Sequence, residues 1–140
     1  MNLEKLTHKA QEALRDAVES ARSAGNPELL PEHLLYALLA QEGGIVPAVL
    51  QKAGAPLQDL LTLTQKELER LPRASGGNDP AFSRRTRDVL QNAMAIAAKG
   101  GEEYTSTEHL LLGILAEGQG VAFDLLRTHG VDEACVLEAG

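Results

Sequence analysis

The chain has 140 residues and a formal net charge of −7, and 44% of its residues are hydrophobic although only two Tyr and two Phe are present. Because nucleic acids and anionic membranes attract Lys and Arg, the acidic balance disfavours both as partners. The single cysteine, Cys135, cannot form an internal disulfide, no apolar run is long enough to span a bilayer, and residues 1–9 lack the apolar core of a signal peptide. We therefore expect one soluble, cytoplasmic domain with an aliphatic core.

The first 40 or so residues predict two helices. Thr7, which follows Leu6, can cap a first helix, and Gly25 supplies the left-handed residue that ends it. Pro31 suits the first position of a second helix, because its φ is fixed near the helical value. The apolar residues of this second helix recur at helical spacing and should face the core: Leu34, Leu35, Leu38 and Leu39.

Two further helices and a linker follow. A very short third helix is predicted over about 46–53, ended by Gly54, and a fourth from near Pro56 to Leu71. Residues 72–81 contain turn-forming residues and no apolar periodicity, so they predict a surface linker.

The second half of the chain repeats the first. A shift of 76 residues aligns residues 6–61 with 82–137 without a gap, and 14 of these 56 pairs are identical. Ser83 takes the place of the capping Thr7, and Ser106 is a good N-cap for the second helix of this copy. No strand pattern competes with the helices. We predict an all-α fold in which two four-helix repeats, related by a pseudo-twofold axis, share one core in a single domain over 1–140.

The chain lacks the motifs that catalysis or a cofactor would need. A phosphate-binding loop requires glycines and a lysine at set spacing, which are missing. His33 and His109 each follow a glutamate, but zinc needs three or four converging ligands, and no HExxH motif or Cys pair is present. We expect no catalytic residue, no metal and no cofactor. The two histidines should instead make a local hydrogen bond or a partly buried contact.

Two other features have competing interpretations. Cys135 lies near the end of the chain, where a small structural residue is favoured over a nucleophile. Arg84, Arg85 and Arg87 form the basic cluster of the sequence, which is either a solvated face or a docking site.

Three segments resemble the amino-terminal domain of the Clp-type AAA+ chaperones. They are Met-Asn-Leu-Glu-Lys-Leu-Thr (1–7), Leu-Pro-Glu-His-Leu-Leu (30–35) and Tyr-Thr-Ser-Thr-Glu-His-Leu-Leu-Leu-Gly (104–113), and the resemblance covers essentially the whole chain. The opening segment and Glu-Leu-Glu-Arg-Leu-Pro (67–72) are most similar to the ClpB disaggregases. The second repeat is also similar to the ClpC unfoldases, so the subfamily stays open.

This resemblance implies a substrate-recruiting domain of a hexameric machine, whose AAA+ modules lie downstream in the chain. Its partners would be unfolded or aggregated polypeptides, with docking of an adaptor protein as the alternative. Thr7, Glu102 and Glu108 match polar positions associated with chaperone activity, and Glu102 stands where the family often has Asp. An apolar groove where the two halves meet should bind substrate. Its candidate residues, each of which is also compatible with an ordinary core position, are Leu90, Met94, Leu110 and Leu111.

The ClpC-like alternative implies a second kind of site. In those domains, glutamates at the positions of Glu32 and Glu108 hold the guanidinium of phosphorylated arginine, through paired hydrogen bonds. Thr7 and Ser83 would then be placed symmetrically to meet the phosphoryl group. The competing interpretation is structural, because a carboxylate in the first turn of a helix is favoured by the helix dipole.

Overall fold

The computed structural model describes residues 2–74 and 78–140. A short 3-10 helix, Leu3–Lys5, precedes two sets of four helices. The first set is α1 (His8–Ser23), α2 (Pro31–Ala40), α3 (Ile45–Lys52) and α4 (Leu57–Glu69). The second set is α5 (Arg84–Lys99), α6 (Thr107–Glu117), α7 (Val121–Thr128) and α8 (Glu133–Ala139). The predicted all-α double repeat is therefore confirmed.

Local capping explains where the long helices begin. The Thr7 side chain accepts a hydrogen bond from the Ala10 N–H at 3.1 Å, and the Ser83 hydroxyl accepts one from the Thr86 N–H at 3.1 Å. These bonds satisfy backbone donors that the first turn of a helix leaves unpaired. Gly25, with φ of 73°, follows the end of α1 in the left-handed conformation that glycine adopts without steric cost.

The structure differs from the sequence prediction in having short parallel pairings between the halves. Strand β1 (Glu28–Leu29) pairs with β2 (Ala81–Phe82), and Leu6 forms an isolated bridge with Thr105. The shift of 76 residues relates Leu6 to Phe82 and Leu29 to Thr105, so the two pairings are pseudo-twofold copies of each other. Strands of two residues show no alternation of apolar and polar side chains, and they form only when distant segments meet.

The predicted linker, 72–81, lies partly outside the described residues, at positions 75–77. Its first residues are held by the loop after α1, because the Asn26 side-chain amide donates to the Pro72 carbonyl at 3.1 Å and the Ala74 N–H donates to the Gly25 carbonyl at 2.7 Å. Its last residue, Ala81, belongs to β2. These contacts hold Pro72 and Ala74 against the loop after α1 and Ala81 against strand β1.

The halves interlock around one aliphatic core. Within each half the first helix packs on the second, while α4 packs on α7 of the other half and α8 packs on α3. Helices α2 and α6 meet between the halves, and the fully buried side chains include Leu34, Leu38, Leu110 and Ile114. Within residues 2–74 and 78–140, no single helix is long and apolar enough to cross a membrane, and the two consecutive pairs that reach this length together are bent by 80° and 99°.

Candidate functional site

His33 is a buried part of the fold at the start of α2. Its Nδ1 accepts the Leu30 N–H at 2.9 Å, and its Nε2 lies 2.9 Å from the Asn26 side-chain oxygen. Burial lowers the pKa of His33 to about 4, so the ring is neutral at physiological pH and donates from Nε2. Both ring nitrogens are used inside the domain, which leaves neither free for a metal or a substrate.

His109 repeats this arrangement with a charged partner. Its Nδ1 accepts the Ser106 N–H at 2.9 Å, and its Nε2 lies 2.6 Å from a carboxylate oxygen of Glu102. Glu102 occupies the repeat position of Asn26, and its side chain remains 56% exposed. Glu102, a predicted site residue, therefore orients a histidine that caps α6. Across the described part of the chain, no three His, Cys, Asp or Glu side chains are grouped so that they could hold a metal ion.

A pocket of about 410 Å³ lies at the start of α5. It is lined by Leu30, Ser83, Arg84, Arg85, Asp88, Glu117 and Gln119. The Arg85 guanidinium is 3.9 Å from the Glu117 carboxylate, whose side chain is only 7% exposed. Ser83 is buried, and its hydroxyl also donates to the Thr86 hydroxyl at 3.0 Å. The pocket thus combines a guanidinium, a hydroxyl and a buried carboxylate.

Glu32 lies close to this pocket at the start of α2. It is 8% exposed, and burial raises the pKa of its carboxyl above the ordinary range. A hydrogen bond from its own backbone N–H lowers this pKa, the nearby charge of Glu67 raises it further, and the charge of Arg85 lowers it. The structure therefore brings Glu32 within the field of Arg85, which neighbours Ser83. Its repeat mate, Glu108, is half-buried.

Three of the four predicted groove residues belong to the core. Leu90, Leu110 and Leu111 are 0% exposed and offer no surface to a ligand in this conformation. The physical reason is the close contact of α5 with α6, where Gly113 allows the helices to approach each other. Met94 is partly buried and packs against the core from outside.

An open groove of about 650 Å³ instead runs along α1. Its apolar walls come from both halves and comprise Leu3, Leu6, Leu14, Val18 and Phe82, and its polar rim comprises Glu4, Gln11, Arg15, Asp16, Glu19 and Arg22. Arg22 pairs with Glu19 and, at 3.3 Å, with Asp79. The shift of 76 residues relates Leu14 to Leu90 and Val18 to Met94. The predicted residues Leu90 and Met94 are thus the second-copy equivalents of two residues that line this groove.

The chain is similar to known proteins along nearly its whole length. A family model described as the Clp repeat (R) N-terminal domain matches residues 5–129. A chaperone protein ClpB of Mycobacterium leprae is 42% identical over 134 residues, which are 95% of this chain but 16% of that protein. The chain therefore spans about one sixth of the length of this relative.

Solved structures share the fold. The N-terminal domain of Hsp104 from Candida albicans superposes with a TM-score of 0.82 at 21% identity, covering 96% of this chain and 87% of that one. A ClpV N-domain in complex with a VipB peptide superposes with a TM-score of 0.75 at 22% identity, covering 98% of this chain and 89% of that one.

Proposed function

This chain belongs to the Clp repeat N-terminal domain family, and on that premise we propose that it recruits unfolded or aggregated polypeptides to a ClpB-like disaggregase. The chain itself performs no reaction in this proposal. ATP hydrolysis and threading would be the work of AAA+ modules elsewhere in a hexameric protein. The groove along α1 is the observation that carries the proposal.

The chemistry of the groove suits a segment of unfolded chain. Leu3, Val18 and Phe82 present apolar surface above the buried Leu14, and an apolar segment of an unfolded polypeptide can cover this surface. The groove is small beside a standard protein interface, so we expect affinities that are micromolar or weaker. The related ClpV N-domain was solved with a peptide bound, which supports peptide recognition by this fold.

The test is nuclear magnetic resonance with the isolated chain and a permanently unfolded polypeptide. We expect chemical-shift changes around Leu14 and Phe82. Val18→Lys should weaken this binding about five- to tenfold, because a charge replaces part of the apolar wall. Leu137→Lys is the matched control, since Leu137 is an apolar side chain that is 62% exposed on α8 and does not line the groove. An affinity that is unchanged in Val18→Lys, or chemical-shift changes confined to the face of Arg84 and Arg87, would refute the assignment of the α1 groove as the binding site.

A second candidate function is capture of phosphorylated arginine, and the position of Glu32 favours it. Burial disfavours the charged form of the Glu32 carboxylate, and pairing with the guanidinium of a ligand would offset that desolvation cost. Arg85 stands nearby as a donor for the phosphoryl group, and Ser83 would join it by giving up its hydrogen bond to Thr86. In the other repeat the position of Arg85 is taken by Lys9 and that of Glu117 by Gln41, so we expect two sites of unequal affinity.

Calorimetry with free phosphoarginine separates the two functions. Capture predicts two binding events that disappear in a Glu32→Ala, Glu108→Ala double variant. Unmodified arginine is the control ligand and should bind far more weakly. If the double variant changes neither ligand binding nor polypeptide binding and only lowers the melting temperature, both glutamates are helix-start residues.

A further inference from the structure

A small polar cavity lies between α1 and α2. Its volume is about 150 Å³, and we call it the α1–α2 crevice. Three alanines form its apolar lining, and its polar lining comes from both helices and the residue after α2. The lining residues are Ala17, Ala37 and Ala40, with Asp16, Ser20, His33, Tyr36 and Gln41.

The corresponding place in the second repeat is occupied by apolar side chains. The shift of 76 residues relates Ser20 to Ile96 and Tyr36 to Leu112. Ile96 packs against the core, Leu112 is 4% exposed, and Gly113 lets α6 lie closely on α5. The polar lining of the crevice is therefore a property of the first repeat alone.

Three side chains of the crevice keep their hydrogen-bonding capacity for a ligand. Within residues 2–74 and 78–140, the side chains of Asp16, Ser20 and Tyr36 make no hydrogen bond and no ion pair. The other two polar residues are engaged, because His33 uses both ring nitrogens and Gln41 donates from Nε2 to the Lys9 carbonyl at 3.0 Å. His33 is also neutral, since burial lowers its pKa to about 4.

The charge of the crevice is negative. Asp16 is the ionised group among its lining residues, and the cations of α1 are directed elsewhere. Arg15 lines the α1 groove and not the crevice. Lys9 Nζ lies 3.9 Å from the Glu12 carboxylate, and Arg22 is held in ion pairs. The crevice therefore favours a small cation with several hydrogen-bond donors.

We propose that the α1–α2 crevice binds a primary ammonium group, supplied by a lysine side chain of the recruited polypeptide. The inference rests on the proposed recruitment of polypeptides. An ammonium group has three donors, which match the oxygens of Asp16, Ser20 and Tyr36. The aromatic ring of Tyr36 also attracts a cation. The methylenes of the lysine would cover the alanines of the crevice.

The crevice and the α1 groove adjoin at Asp16, which lines both. A polypeptide whose apolar segment occupies the groove would therefore present a nearby lysine to the crevice at a high effective concentration. The substrate class that follows is an apolar segment flanked by lysine.

The first test uses the isotope-labelled 140-residue chain and butylammonium chloride, whose cation is the lysine side chain as a free molecule. We expect butylammonium to shift the resonances of Ala17 and Ala40 and to leave those of Phe82 in place. Butanol is the matched neutral ligand and should cause no shift. Potassium chloride at the same concentration controls for ionic strength.

The second test compares two synthetic peptides that share an apolar segment. One carries lysine beside this segment, and the other carries hydroxynorleucine, in which a hydroxyl replaces the ammonium group. We expect the lysine peptide to bind about two- to fivefold more tightly, as for a partly exposed charge pair. Both peptides should shift Phe82, and the lysine peptide alone should shift Ala17 and Ala40.

Variants assign the preference for lysine to the crevice. Asp16→Asn should abolish it, whereas Asp124→Asn, which removes the same charge from the exposed surface of α7, should preserve it. Because Asp16 also lines the groove, a second variant is needed. The Ser20→Ile, Tyr36→Leu double variant installs the residues of the second repeat and does not alter the groove lining. It should abolish the shifts caused by butylammonium and keep those of Phe82 caused by the peptides.

The outcomes separate the crevice from the function on which it rests. Equal affinity for the two peptides, equal shifts with butanol or potassium chloride, or butylammonium shifts that survive in both crevice variants would overturn the ammonium site and leave recruitment standing. Butylammonium binding at Ala17 and Ala40, without any peptide shift at Phe82, would instead overturn recruitment through the groove and with it the lysine source.

Discussion

Gly113 should be unable to accept a methyl group, although it lies in the middle of a helix. A Cβ at this position would lie 2.5 Å from the Val89 carbonyl oxygen and 3.1 Å from the Ala93 Cβ, both on α5. The backbone oxygen cannot rotate away, so Gly113→Ala must push α6 from α5. The repeat equivalent is Ala37, which shows that the α1–α2 pair accommodates a Cβ where the α5–α6 pair does not.

The magnitude follows from two opposing effects. Replacing glycine by alanine inside a helix stabilises it by about 1 kcal/mol. Overpacking a dense core costs about 1–3 kcal/mol, and contact with a fixed backbone oxygen places Gly113→Ala near the upper limit. We therefore expect the free energy of unfolding to fall by about 1–2 kcal/mol.

Urea unfolding followed by far-ultraviolet circular dichroism measures this change. Ala98→Gly is the control on the exposed surface of α5, where the loss should reflect helix propensity alone, at most about 1 kcal/mol. Binding at the α1 groove should survive in Gly113→Ala, because Gly113 does not line that groove. A variant that is as stable as or more stable than the parent would refute the close approach of α5 and α6.

Three further changes test buried polar groups by the same unfolding measurement. Because the pKa of His33 falls from 6.5 to about 4 on folding, the unfolded chain binds an extra proton between these pH values. The free energy of unfolding should therefore drop by up to about 3 kcal/mol as the pH falls from 6.5 to 4. His33→Gln should abolish this dependence of stability on pH, and an unchanged dependence would contradict the assignment. Thr107→Val should raise the free energy of unfolding by about 1 kcal/mol, because the buried Thr107 hydroxyl lacks a hydrogen-bond partner among the described residues. A loss of stability would show that this hydroxyl does make a hydrogen bond. Glu32→Gln should stabilise the domain at pH 7 by less than about 1 kcal/mol. Burial raises the pKa of Glu32, so its charged form lowers the stability of the fold as the pH rises above the ordinary 4.5, while the helix dipole offsets part of that cost. A gain in stability that persists at low pH would exclude the charge of Glu32 as its cause.

The sequence by itself determined the helices and their duplication. Capping by Thr7 and Ser83 and the start of α2 at Pro31 are local events, because each involves residues within one turn of the chain. The ungapped repeat predicted the double four-helix fold. The Clp family resemblance followed from short segments, of which Glu-His-Leu-Leu occurs in both copies, at 32–35 and 108–111.

Only the tertiary structure decided which copy of the repeated apolar face is open. Leu14 and Leu90 read alike in the sequence, yet the open groove follows the first copy. In the second copy Gly113 lets α6 lie closely on α5, and Leu90 is 0% exposed, whereas Leu14 is 6% exposed and lines the groove. The contact of Gly113 with Val89 joins residues 24 positions apart in the chain.

The same limit applies to the polar residues. Glu102 was predicted as a site residue, but its contact with His109 crosses the loop between two helices and becomes visible only in three dimensions. The strand pairing of Leu29 with Phe82 joins residues 53 positions apart and leaves no local pattern. Backbone propensities and caps act over one turn of chain, whereas grooves and ion pairs are made by elements that meet only after folding.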